Sequence, residues 1–220
     1  YFTGGGADDN WTTAGNWQGG DDFTATNPQP DGSVCPAAGG VPGKDDSVII
    51  MPDQVVQIDV NFGGSGSNPL SNLLLRSDND STPEGAVNNV RGNNLEIKNN
   101  FTIKNGARFF YNGSDGDGDI IVKGNATIGD IFFALATKGE NFDPDSQGDL
   151  TVEGDLTIEP PAELVVARNG VFSDLTVNGN LTNNGTLTTD FESATNSSTI
   201  TFNGGSGTQT ASGLTTDLPN

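Results

Sequence analysis

Seven short apolar triplets recur along this chain at a nearly fixed interval, and that recurrence limits its fold more than anything else in it. They are Val48-Ile49-Ile50, Leu73-Leu74-Leu75, Leu95-Glu96-Ile97, Ile120-Ile121-Val122, Leu150-Thr151-Val152, Leu175-Thr176-Val177 and Ile200-Thr201-Phe202, with successive starts 25, 22, 25, 30, 25 and 25 residues apart. A unit this short cannot bury an apolar face alone, so a repeat of this period must stack unit on unit. In Leu150-Thr151-Val152 the apolar residues alternate with a polar one, which is the period of a strand with one face inward.

A corner follows each of the later triplets, with Asn99, Gly124, Gly154, Gly179 and Gly204 in its middle. These residue types tolerate φ > 0 and so permit a sharp bend there. After four of the corners a second short strand begins at once, at Phe101, Ala126, Leu156 and Leu181. A third side is expected at 108–111, 131–135, 163–166 and 186–189. Three strands per turn of about 25 residues describe an all-β parallel β-helix, right-handed by the crossover rule, of about seven coils. At ~4.8 Å per coil such a rod would be on the order of 30 Å long. Stacking would then put Asn100, Asn125, Asp155 and Asn180 in a corner ladder, and Thr102, Thr127, Thr157 and Thr182 in an outward one.

Residues 1–45 lack the period but hold both tryptophans. The end of a β-helix is an open sheet edge that needs cover. This segment is therefore expected to form an N-terminal cap, with Trp11 and Trp17 over the first coil and the solenoid occupying 46–220. The last coil carries no comparable signal, so the repeat is expected to continue in a longer polypeptide.

Charge narrows the partners. With 29 acidic against 9 basic residues, the net charge of −20 argues against nucleic acid, which is held by Lys and Arg on phosphate. It argues equally against anionic membrane surfaces, and no run approaches the ~18 apolar residues of a spanning helix, so direct membrane insertion is not expected. An acidic, Gly-rich chain can also be disordered, but the regular triplets oppose that reading. There is no histidine, which removes the commonest general base and zinc ligand. The single Cys35 has no internal disulfide partner and reads as a buried structural thiol. Few lysines and abundant Asn, Thr and Gly suit an extracellular location.

"NWTTAGNWQGG" (10–20) followed by "VPGKDDSVII" (41–50) resembles the opening of large secreted surface proteins of Bacteroidetes. There, Trp-rich words lead through Val-Pro-Gly and Asp-x-Val-x-Ile into a right-handed β-helix. "STITFNGGSGTQTASG" (198–213) is similar to their coils. The resemblance implies a cell-surface adhesin exported by the type IX route, some relatives of which serve gliding motility. The stretch 21–40 is longer than the usual link in that family.

Three residue sets are candidates for chemistry. Asp115, Asp117 and Asp119 alternate with glycine in "SDGDGD", and "DPDSQGD" sets Asp143, Asp145 and Asp149 in the manner of an EF-hand opening, although Gly154 stands where its bidentate Glu belongs. Carboxylates in Gly-bearing loops suit calcium; the competing reading is a pair of solvated acidic loops. The outward Thr rank could contact a polysaccharide or order water as an ice-binding face, while Thr also fills exposed strand positions merely because its branched side chain suits them. Asn-x-Ser/Thr sequons at Asn10, Asn100, Asn112, Asn125, Asn180, Asn184 and Asn196 are near the number expected by chance in so Asn- and Thr-rich a chain.

Parallel β-helices also host polysaccharide lyases and hydrolases, which need clustered carboxylates with a basic residue or a flanking carboxylate pair. Arg76, Arg91, Arg108 and Arg168 are scattered over different coils. Fold alone does not supply activity. The expectation is a non-catalytic, adhesive segment of a secreted cell-surface protein that meets extracellular glycans or neighbouring cells. A polysaccharide-acting domain is the alternative, and an ice-binding solenoid comes after it.

Overall fold

The computed structural model describes residues 1–24, 29–52, 54–62, 69–76, 86–90, 93–104, 107–112, 119–129, 133–134, 149–168, 171–172, 174–189, 199–204 and 211–212. Among these the chain is all-β, its only helices being single 3-10 turns at Ala14–Asn16 and Ala38–Gly40. No helix among them is long and apolar enough to cross a membrane. Three parallel sheets stack as a β-solenoid.

The chain visits the sheets in a fixed order. Leu95–Ile97, Phe101–Ile103 and Arg108–Asn112 are followed by Ile120–Val122, Ala126–Ile128 and Phe133–Ala134. Then come Leu150–Val152, Leu156–Ile158 and Glu163–Arg168, and after them Leu175–Val177, Leu181–Asn183 and Thr186–Thr189. Register is strict: Ile120 lies between Leu95 and Leu150, and Thr127 between Thr102 and Thr157. A one-residue slip would turn every inward side chain outward, so the buried face holds this register. The third-side strands fall where the sequence places them. Val171–Phe172 folds back antiparallel on Glu163–Arg168.

The alternation of the triplets is the alternation of burial. Leu150, Val152, Leu156 and Ile158 are fully buried, whereas Thr151 and Thr157 are half-buried on the outside. Inside, equivalent residues stack in columns, such as Leu73, Phe101, Ala126, Leu156 and Leu181. Phe101 sits between a medium and a small side chain, which keeps the column filled without overpacking. At the end of the neighbouring column the buried Asn183 follows Ile103, Ile128 and Ile158, and its Oδ1 accepts the Gly185 N–H at 3.1 Å.

Two sequence expectations need correction. Val48-Ile49-Ile50 and Leu73-Leu74-Leu75 do not share a sheet with Leu95-Glu96-Ile97. Val48–Ile50 pairs with Leu73–Leu75, and Leu73–Leu75 with Phe101–Ile103, on the second side of the coil. The place before Leu95 belongs instead to Phe62 and Leu70, which bridge to Leu95 and Ile97 across an insertion. The 22-residue step is therefore a move between sheets and not a coil period. The corner glycines differ from expectation too: among the described residues the positive-φ ones are Asp45, Gly4, Gly32, Gly39 and Gly40, and Gly124, Gly154 and Gly179 are not of that set. What demands glycine at the corners is close stacking: a Cβ at Gly124, Gly154 or Gly179 would press on the carbonyl oxygen of the coil beneath, and the Gly154 N–H bonds the Gly124 carbonyl at 2.9 Å.

The N-terminal residues extend two of the sheets. Phe2 bridges in parallel to Ile50, and Asn10 to Gln57. Trp11 is fully buried and Trp17 nearly so, within one core that includes Val48, Ile50 and Phe62. The Trp11 indole donates to the Pro42 carbonyl at 3.0 Å and the Trp17 indole to the Trp11 carbonyl at 2.7 Å, so neither N–H is buried unpaired.

Candidate functional site

The corners carry interlocked side-chain ladders. The Asn100 N–H bonds Asn72 Oδ1, the Asn125 N–H bonds Asn100 Oδ1, the Asp155 N–H bonds Asn125 Oδ1 and the Asn180 N–H bonds Asp155 Oδ1, at 3.1, 3.3, 2.9 and 2.7 Å. Each side chain thus caps a backbone donor one coil later, a job the short side-chain oxygens of Asn and Asp suit. Three of the sequon asparagines, Asn100, Asn125 and Asn180, belong to this ladder, so structure explains their presence without a glycan. An Asn125→Ala variant is expected to lose about 0.5–1.5 kcal/mol in urea unfolding, the net worth of one such bond. Asn184→Ala, outside the ladder, should change stability less.

A second ladder gathers two of the acidic candidates. The Asn94 N–H bonds Asn61 Oδ1 and the Asp119 N–H bonds Asn94 Oδ1, while the Asp174 N–H bonds Asp149 Oδ1 and the Thr199 N–H bonds Asp174 Oδ1. Asp119 and Asp149 precede paired residues, and the Asp149 carbonyl accepts the Ile120 N–H at 2.8 Å. The two Asp-rich stretches therefore end on neighbouring rungs. Asp115, Asp117, Asp143 and Asp145 lie outside the described residues. Among the described residues no three carboxylates or other ligating groups gather for a metal.

The Thr rank is in register from Thr102 through Thr127 and Thr157 to Thr182, and continues to Ser212. Toward the N-terminus the same outward rank becomes Leu74 and Ile49. Sequence reading missed a second rank on the adjoining sheet. There Thr151, Thr176 and Thr201 stack outward, continuing from Glu96 and Ile121. The triplets themselves contained this signal, but it becomes a face only once strands are paired. Two aligned ranks of uncharged hydroxyls, each both donor and acceptor, suit a neutral hydroxylated partner better than an ionic one.

Charged pairs flank these faces. Lys123 is paired with Glu153 on the next coil, which raises the lysine pKa, and Lys98 with Asp45, which holds that carboxylate below its usual range. All four side chains are well exposed, so these pairs add little stability. Asp8 in the N-terminal segment is likewise lowered, first by the Thr13 hydroxyl and then by the Asn10 N–H.

No family model matches the chain, and no curated protein or solved structure matches it either.

Proposed function

We propose that this chain is a non-catalytic, adhesive segment of a secreted cell-surface protein, a right-handed β-helix of about seven coils capped by its first 45 residues. The observation that carries the reading is the pair of in-register Thr ranks on a scaffold whose corners are locked coil to coil. A rigid repeating surface holds many weak contacts in fixed register, so contacts that are individually feeble add without a large ordering cost. Partners of this chemistry are extracellular glycans or other cell-surface components. Export by the type IX route and continuation in a longer polypeptide follow from the resemblance of 10–20, 41–50 and 198–213. Calcium bridging the Asp-rich stretches is proposed with it, because their Asp119 and Asp149 ends are neighbours.

The test is retention of the purified chain on immobilised neutral and acidic polysaccharides and on cells. Saturable retention that a Thr157→Lys, Thr176→Lys double variant loses at least tenfold is the expected result. Release of reducing or unsaturated sugar from polygalacturonate would overturn it in favour of a polysaccharide-acting domain. Calcium at a hundred times its Kd should raise the unfolding free energy by about 2.7 kcal/mol, and an unchanged melting temperature with chelator would remove calcium from the reading. The second Thr rank also favours the ice-binding alternative, whose signature is thermal hysteresis abolished by Thr127→Leu with Thr157→Leu.

A further inference from the structure

Ile49 heads the outward rank that continues as Leu74 and Thr102, yet only 2% of it is exposed. Gln18–Gly20, one strand of an antiparallel ribbon with Pro30–Val34, faces it together with Cys35 and Ala37. The cover is incomplete. Between it and the sheet lies a pocket of about 190 Å³, lined by Tyr1, Gln18, Phe23, Asp21 and Asp46 around Ile49. This ribbon comes from residues 18–37, much of it the stretch that exceeds the usual link in the resembled family.

We propose that this pocket binds one neutral sugar ring, and that the Thr102 rank on the same face receives the next units of the same glycan. Size comes first. The volume equals about six waters at ~30 Å³ each and falls below the ~300 Å³ floor of drug-sized sites, so the occupant is a single small ring. Charge comes second. The lining holds two carboxylates and no Lys or Arg side chain, which disfavours phosphate, sulfate and uronate ligands.

Geometry comes third. Tyr1 is fixed by its hydroxyl, which donates to the Asp21 carbonyl at 2.8 Å, and by Gly20, where a Cβ would stand 2.5 Å from the tyrosine ring. Tyr1 and Phe23, both half-buried, thus offer apolar surface to a sugar's C–H face. Asp46 Oδ2 is engaged by the Gly43 N–H at 2.8 Å, and Asp21 Oδ2 by the Gln29 N–H at 3.2 Å. Both carboxylates are thereby oriented, and as lining groups they supply acceptors for sugar hydroxyls, to which the Gln18 amide adds a donor and an acceptor. Aromatic surface and charged acceptors lining one small pocket make a site for a polyhydroxylated ring.

This inference rests on the adhesive reading but is tested apart from it. Methyl glucoside, methyl galactoside and methyl mannoside are titrated into the full chain and followed by saturation-transfer NMR. The expected result is transfer to at least one hexoside, weakened tenfold or more by Phe23→Ala and by Asp46→Asn and unaffected by Asn184→Ala, which lies outside the pocket and the Thr ranks. Unchanged tryptophan emission in both pocket variants verifies that the fold is intact. No transfer from any hexoside, or transfer that survives both pocket substitutions, overturns the proposal. So does preferential binding of tetramethylammonium, which would make the pocket a cation site. Retention of the Phe23→Ala chain on glycan surfaces equal to the unsubstituted chain would overturn the pocket and leave the adhesive reading standing. Absence of all such retention sinks the adhesive reading, and the hexoside titration then decides the pocket by itself.

Discussion

Replacing Trp11 with alanine should lower the stability of the N-terminal part by about 3–5 kcal/mol, the cost of emptying a fully buried aromatic site. The ring is 4.6 Å from Trp17 and 4.7 Å from Phe62, and 0% exposed, so nothing at the surface can collapse cheaply into the gap. The Pro42 carbonyl also loses its indole donor. Against a typical total of ~5–15 kcal/mol that is a large fraction.

The consequence is local before it is global. Residues in a solenoid contact only neighbouring coils, so loosening one end need not melt the other. The Trp11 N–H to Gln57 carbonyl bond and the Gln57 N–H to Asp9 carbonyl bond, at 2.9 and 2.8 Å, would go with the ring. The edge of Val55–Ile58 would then stand open, a template for pairing with another chain. Urea unfolding of Trp11→Ala, followed by Trp17 emission and by far-UV circular dichroism, should show the emission change first and the β signal later. Coincident transitions at the unsubstituted midpoint would refute this role for Trp11. Trp11→Phe, which keeps an apolar ring but no donor, should fall between the two.

How much of this was legible beforehand depends on the kind of residue that wrote the signal. Leu150-Thr151-Val152 and Leu156-Thr157-Ile158 spell out their inward and outward faces, and their sheets could be read directly. Val48-Ile49-Ile50 and Leu73-Leu74-Leu75 are apolar at every position, so nothing local says which side of the coil they form. Only pairing with Phe101–Ile103 settles it. The insertion between Phe62 and Leu70 hid a turn because its two bridging residues are eight positions apart in sequence but face adjacent-but-one residues, Leu95 and Ile97. The second Thr rank is a property of stacked strands, and no single triplet expresses it. The pocket is least legible of all. Tyr1, Phe23 and Asp46 follow no period, and their convergence depends on a ribbon folding over Ile49.

The same stacking gives Gly154→Ala the other large expected effect. Gly124, Gly154 and Gly179 form a column in which the Gly154 N–H bonds the Gly124 carbonyl at 2.9 Å and the Gly179 N–H the Gly154 carbonyl at 3.0 Å. A Cβ on Gly154 would lie 2.6 Å from the Gly124 carbonyl oxygen, and backbone cannot swing aside as a long side chain can. The corner must therefore open. Overpacking costs about 1–3 kcal/mol, and weakening the Gly154 N–H bond and the adjacent Asp155 N–H bond to Asn125 adds ~0.5–1.5 each. A total loss of about 2–6 kcal/mol is expected in urea unfolding.

Gly43 supplies the control. No atom lies within 4 Å of a Cβ there and its φ is not positive, so Gly43→Ala should stabilise by ~0.4–1 kcal/mol through the unfolded chain. Opposite signs at the two glycines would establish close coil contact, not backbone freedom, as the reason for glycine at the corners. Equal effects would mean that the corners tolerate a methyl group, and that the column is spaced more loosely than its hydrogen bonds imply.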